Sequence, residues 1–361
     1  MAVPRAMTPK IMTGLLAAVL GLGLLSSPAS AVYPNEPSPQ SWTPPGPVHA
    51  VLATSKRVYV AGETSSGGGV IAAVKPSSGK LLWQVATDAD VRALAVSKNG
   101  RRLFAGGLFQ TVDGTQHKRL VALTSWNGSV IGSWKPSTSG AVHDLLVVGK
   151  RLYIGGSFDS IGQHQQRGLA AVYAGTGQRV RAFKARVNLR VESLARSGKN
   201  LIIAGRFIRV NGKLRASLAA VSLSKGKLTP WSPPRVCATC TTYWDVVVDD
   251  ARAYVASSGP GGNVGAYNLS SGKRNWLVHA DGDVQALALA PDGLLYLGGH
   301  FRQFVGNASK KRTLLAAVRR TTGKVNPKFH PKLFKSYPGV WALAATSTRL
   351  YAGGSFTGVR S

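Results

Sequence analysis

Two sets of side chains in this sequence have the types and spacing to do chemistry. The first sits at one recurring place, beside the residue that opens a V-x-A-L phrase: His49, Arg92, His143 with Asp144, Glu192, Asp245, Gln285 and Trp341. Here the polar types vary while the surrounding frame repeats. Convergent polar groups in a concavity are the usual form of a ligand site. The second set is basic: His117-Lys118-Arg119, His164 with Arg167, Lys213 with Arg215, and Lys310-Lys311-Arg312. One Arg, at 119, 167, 215 and 312, recurs just ahead of an apolar run. A repeated Arg suits hydrogen bonding between repeats. The added lysines have no such role, and together they would form a positive rim able to focus an anion.

Acid–base catalysis is poorly provided for. Hydrolysis by two carboxylates needs a close pair in unlike environments, and the only glutamates are Glu36, Glu63 and Glu192. Asp88-x-Asp90 and Asp281-x-Asp283 hint at calcium, but Asp in turns ordinarily caps backbone amides. No G-x-S-x-G or H-E-x-x-H phrase occurs. The expectation is therefore no catalytic residue, no metal and no cofactor, calcium being the one candidate. The two cysteines, Cys237 and Cys240 in CATC, have no neighbouring His or Cys to complete a zinc site. They are expected to form a local disulfide in an oxidising compartment.

The elements that must position these residues repeat. LYIGGSF at 152–158 returns as LFAGGLF, LIIAGRF, LYLGGHF and LYAGGSF, with eroded copies VYVAGET and AYVASSG. Around each copy stand V-x-A-L, then an apolar run ending in Gly such as LAAVYAGTG, then an aromatic: Trp42, Trp83, Trp134, Phe183, Trp231, Trp276 or Phe329. Short runs rich in Val, Leu, Ile and Tyr between turn residues read as strands. Near-continuous apolarity marks strands covered on both faces. Four strands repeating at intervals of roughly 40–56 residues predict an all-β, seven-bladed β-propeller of four-stranded antiparallel blades. No helix follows the paired glycines, so they are architecture rather than a phosphate loop. Six third strands against seven of the other kinds imply that the N- and C-terminal segments share the last blade, which either takes Ala31-Val32-Tyr33 as its third strand or is left three-stranded.

Arg5 and Lys10 precede an apolar run of about 15 residues and an Ala29-Ser30-Ala31 site, the pattern of a secretory signal over 1–31. Residues 32–47 then form a lead-in segment and closing outer strand, and 48–361 the propeller. With 45 Lys and Arg against 14 Asp and Glu, the net charge is +31. Such a surface attracts polyanions by counterion release. The expected partner is an anionic polymer, or a cell-wall or extracellular component, rather than a specific nucleic acid. The expected product is a secreted monomer with no spanning segment after cleavage.

LYxGGxF, R-x-x-L-A-A, T-G and W-x-P in this order resemble the secreted bacterial propellers of delta-sixty repeats, over about 48–361 and most closely over 243–301. That resemblance implies an architecture and no particular activity. Ser78-Gly79-Lys80-Leu81-Leu82-Trp83 and Ser271 to Trp276 also resemble quinoprotein repeats. Quinone-dependent dehydrogenases of that kind use a channel calcium, acidic ligands and adjacent cysteines, and this chain has CATC and few acids. The expected function is a non-catalytic binding propeller. The alternative is an extracellular enzyme, a polysaccharide hydrolase or lyase or a quinone-dependent dehydrogenase, acting at the channel mouth.

Overall fold

Each V-x-A-L phrase folds as a strand, and each glycine-pair phrase folds back on it as a second, antiparallel strand. A computed structural model of the chain describes residues 33–35, 42, 44–306, 310–334, 339–356 and 358–360, all within one compact unit, Ala31–Ser361. The proposed signal at 1–31 lies outside these residues. Among them are seven such pairs, from Val48–Ala53 with Val58–Glu63 to Val340–Ala345 with Leu350–Gly354. The third strands, such as Leu120–Thr124, Leu169–Tyr173 and Leu218–Ser222, pair onto the second. Their Ala-rich centres are buried on both faces, because each sheet packs between two others. All the regular elements among the described residues are strands.

Among the described residues the expected four-stranded unit is complete in the first and fifth repeats only, where Leu81–Thr87 and Arg274–Ala280 form outer strands. In four other repeats the outer strand shrinks to one bridge, as at Leu123–Val130 and Val318–Val325. Pro136, Pro230 and Pro327 stand close by in three of these. Proline lacks the N–H that a ladder needs, so the segment leaves the sheet.

The glycine pair has a steric cause. A Cβ on Gly106, Gly155, Gly298 or Gly353 would lie 2.5, 2.9, 2.5 or 2.3 Å from the Cγ1 of Val142, Val191, Val340 or Val48 in another repeat. A Cβ on the second glycine would strike the chain entering its own first strand, at 2.2 Å from the Asp90 carbonyl for Gly107. One glycine admits the neighbouring sheet and the other admits the partner backbone. The aromatics of the outer segments act across the same seams. Trp83 packs under Gly128 and Trp276 under Gly323, and their indole N–H groups donate to the carbonyls of Ser125 and Arg320.

Among the described residues the last repeat pairs two strands, and the expected third strand is only partly within them. Tyr33 is not in a strand. Its ring lies 5.0 Å from Tyr296, and its hydroxyl donates to the Thr346 carbonyl. Trp42 donates its backbone amide to the Gly79 carbonyl of the first repeat at 3.0 Å, and the rest of the expected outer strand around it lies outside the described residues. Gly358–Arg360 pairs instead with Lys332–Phe334.

Candidate functional site

Every first strand has a break in register at its second residue: Val48/Ala50, Val91/Ala93, Val142/Asp144, Val191/Ser193, Tyr243/Asp245, Val284/Ala286 and Val340/Ala342. A bulge turns the extra residue out of the ladder. The residues so turned are His49, Arg92, His143, Glu192, Trp244, Gln285 and Trp341. They line one cavity of about 420 Å³ together with Asp144, Arg190, Ser193 and Asp245. The variable positions read from the sequence therefore do converge. In the fifth repeat the bulged residue is Trp244, and Asp245 belongs one step deeper.

The deeper positions form a polar layer of their own. Asp144 accepts the amides of Leu145 and Leu194, each at 2.7 Å. Ser193 donates its hydroxyl to Asp245 at 2.8 Å and accepts the Val246 amide at 3.1 Å. Asp245 accepts the Leu287 amide at 2.7 Å. These side chains tie the first strands of successive repeats together. Burial pushes both carboxyls up, Asp144 to about 7 with help from the Asp245 charge, and Asp245 to about 6. They hold the channel wall.

On the third and fourth repeats Glu192, buried at the mouth, takes two partners. Its Oε2 lies 3.3 Å from His143 Nδ1, and Oε1 meets the Arg190 guanidinium. Burial, then the charges of Arg92 and Arg190, hold His143 down at about 3, so the ring is neutral. A neutral ring facing a carboxylate through Nδ1 carries its proton there. Nε2 is then the acceptor for the Ser157 hydroxyl at 3.1 Å. Burial raises Glu192, against the pull of Arg190, Arg92 and Arg206. Arg190 also lies over the Trp244 ring, 5.8 Å from its centroid. On the first and second repeats Asp90 accepts Arg92 Nε at 2.7 Å, and His49 stands 3.4 Å from Glu63 and 3.8 Å from Asp90. The carboxyl pair that hydrolysis needs, one free base and one poised acid, is not assembled from Asp144, Glu192 and Asp245. All three are engaged by amides, hydroxyls or cations.

The basic loops lie at the same end, since the second strands end where the first begin. Their four arginines are not one repeated position, which corrects the expectation from sequence. Arg119, Gly168, Ser217 and Leu314 share the left-handed backbone with φ of 64–69° and are the equivalent residues. Two places earlier stand His117, Gln166, Arg215 and Arg312, which face inward. Gln166 donates to the carbonyls of Leu169, Phe183 and Ala185, Arg312 to those of Phe329 and Asn326, and Arg215 to that of Thr229. Arg119 reaches the Thr138 carbonyl, and Arg167 pairs with Asp159 at 2.7 Å in the open. Lys118, Lys213 and Lys311 are exposed. Of Lys310 only the backbone is described, in the strand Lys310–Lys311.

Asp88 and Asp281 are turn caps, each accepting two successive amides, of Gln110 and Thr111 and of Arg302 and Gln303. Ser139 and Asn188 do the same in other repeats, so the spacing that hints at calcium marks a repeated turn. Cys237 and Cys240 are bonded to each other, as expected. A quinone cofactor of the dehydrogenase kind does not fit, because the only cysteines stand three apart in this loop and two of the channel carboxyls are buried under amides. Sequence reading does not place Arg190, Asp90, Glu63, Trp244 and Ser193 at the channel mouth, and it takes Asp90 only as half of an Asp-x-Asp calcium hint. A signal for two of them existed: Asp90 and Arg190 both stand immediately before a first strand.

Solved structures with similar folds include the following three. The WD40 β-propeller domain of Doa1 aligns with TM-score 0.61 and 12% identity, over 87% of this chain and 92% of that one. U3-55K gives 0.62 and 12%, over 87% and 90%. The computationally designed Ika8 protein gives 0.54 and 13%, over 89% and 97%. At such identities the likeness is one of fold: the chain is a β-propeller. No curated protein matches it. The sequence match agrees with the quinoprotein-like phrases: residues 67–328 fit the PQQ_2 family, described as "Outer membrane protein assembly factor BamB", and the chain belongs to that family.

Proposed function

We propose that this chain is a secreted, non-catalytic binding propeller, a closed ring of seven blades of the delta-sixty type, whose basic loop face docks an anionic polymer or extracellular partner. The observation that carries the reading is the disposition of charge. The chain has an excess of 31 positive charges, and Lys118, Lys213 and Lys311 stand exposed on loops at one end. The acids at that end are engaged: Asp88 and Asp281 by turn amides, Asp159 by Arg167, Glu192 by His143 and Arg190. Apart from Glu63, 44% exposed beside His49, what remains for a ligand to meet is positive. Membership of a family described by an assembly factor is in keeping with docking rather than turnover.

The test uses heparin as the probe polyanion, titrated into the full chain at several salt concentrations. Log affinity is expected to fall linearly with log salt, with a slope set by the number of cations engaged. Reversing Lys118→Glu, Lys213→Glu and Lys311→Glu together is expected to weaken binding at least tenfold. A response flat in salt would sink the reading.

A further inference from the structure

We propose that the channel mouth holds one divalent transition-metal ion of the zinc class, bound by His49, Glu63 and Asp90. Three elements of the first two repeats bring these residues together. His49 is the bulged residue of the first strand, Glu63 ends the second strand, and Asp90 immediately precedes the first strand of the next repeat. Their ligating atoms, His49 Nε2, Glu63 Oε1 and Asp90 Oδ1, all lie within 4.8 Å of one another. The separations from Nε2 are 3.4 Å to Glu63 and 3.8 Å to Asp90. Ligands about 2.0–2.1 Å from a tetrahedral ion stand about 3.3 Å apart, so only small closing movements are needed.

A second observation points to a ligand. Asp90 Oδ1 and His49 Nε2 are buried and have no hydrogen-bond partner among the described residues. The Asp90 side chain is only 7% exposed, and its other oxygen is taken by Arg92. A buried carboxylate oxygen and a buried imidazole nitrogen facing each other without a shared bond are costly to leave so. An ion between them satisfies both. The surroundings orient the donors as an outer shell does: Arg92 Nε fixes the Asp90 carboxylate at 2.7 Å, and Trp341 packs against the His49 ring at 5.5 Å between centroids. One imidazole and two carboxylates favour a zinc-like ion over calcium, which prefers six or more oxygens. Three protein ligands leave a further position open, beside the cavity that His49 lines, where water or an anionic group can bind.

The experiment is zinc binding by the untagged, chelator-treated full chain, by calorimetry and by metal content after dialysis. One Zn²⁺ per chain is expected. Glu63→Gln, in a side chain 44% exposed, preserves shape and fold and is expected to weaken binding at least tenfold, as is His49→Gln. His279→Gln, on an exposed outer-strand histidine, is expected to change nothing. Zinc should also raise the melting temperature of the wild type in a dose-dependent way and not that of Glu63→Gln. Absence of saturable one-to-one binding overturns the proposal, and so does binding that Glu63→Gln and His49→Gln leave intact. Heparin affinity is a separate readout, so failure of the metal site and failure of the docking face are told apart.

Discussion

At the scale of residues, the polar groups of the channel divide by depth. Those at the bulge face the cavity, and those one step deeper hold strands. Asp144 makes the difference measurable. Its carboxyl is raised from the usual range to about 7, so the folded state binds a proton more tightly than the unfolded chain does. The stability this contributes is complete below about pH 4 and is lost as pH rises to about 7, a swing of at most about 4 kcal/mol. Asp245 acts in the same sense up to about pH 6. His143, held at about 3, acts in the opposite sense: its contribution is present above the ordinary histidine range and is lost as pH falls below it. Urea denaturation of Asp144→Asn from pH 4 to 7 should therefore lose less stability with rising pH than the wild type. It should also start lower, by about 1–3 kcal/mol, because the amide cannot accept both backbone N–H groups. Parallel curves for the two proteins would show that Asp144 does not titrate there.

At the scale of elements, the glycine pair is where sequence and packing meet most directly. LYIGGSF and its copies are legible as second strands without any structure. The reason for two glycines is not, because it lies in the next repeat for one and across the hairpin for the other. Gly107→Ala places a Cβ 2.2 Å from a backbone carbonyl and should cost more than about 3 kcal/mol. Gly114→Ala, at φ 72° with open space around it, meets only backbone strain and should cost about 1 kcal/mol. Thermal or urea denaturation of both variants checks the contrast, and equal costs would remove steric closeness as the cause. The recurring Arg shows the opposite situation. Four arginines near one place in the phrase look equivalent, but they stand at three offsets from the left-handed residue, Arg119 on it, Arg167 one place before it, and Arg215 and Arg312 two places before it, which backbone φ and carbonyl partners reveal.

At the scale of the whole molecule, the first and last repeats meet. Gly353 stands against Val48 and Val51, and Arg349 donates to the carbonyls of Pro76 and Ser77. The second and third repeats use the same clamp on their neighbours, through Arg102 to Ala174 and Arg151 to Leu223. Gly353→Val should wedge this seam. Hydrogen exchange should then quicken in 48–74 and 340–354 together, while the strands of the third and fourth repeats stay protected. Faster exchange confined to 340–354 would mean that the last repeat frays alone and supports nothing beyond itself.

The sequence alone determined the class of fold, the order of strands, the local disulfide and the ring of positions beside each first strand. Each of these follows from local periodicity, turn residues and short chain separations. Which of those positions face the cavity was decided by the bulge in every first strand, a register effect between strands. Which acids are free was decided by partners tens of residues away: Leu194 for Asp144, Leu287 for Asp245, His143 for Glu192. The meeting of His49, Glu63 and Asp90 belongs to the same category. Nothing in a strand end, a bulge and a turn read separately brings an imidazole and two carboxylates together; the packing of one sheet against the next does.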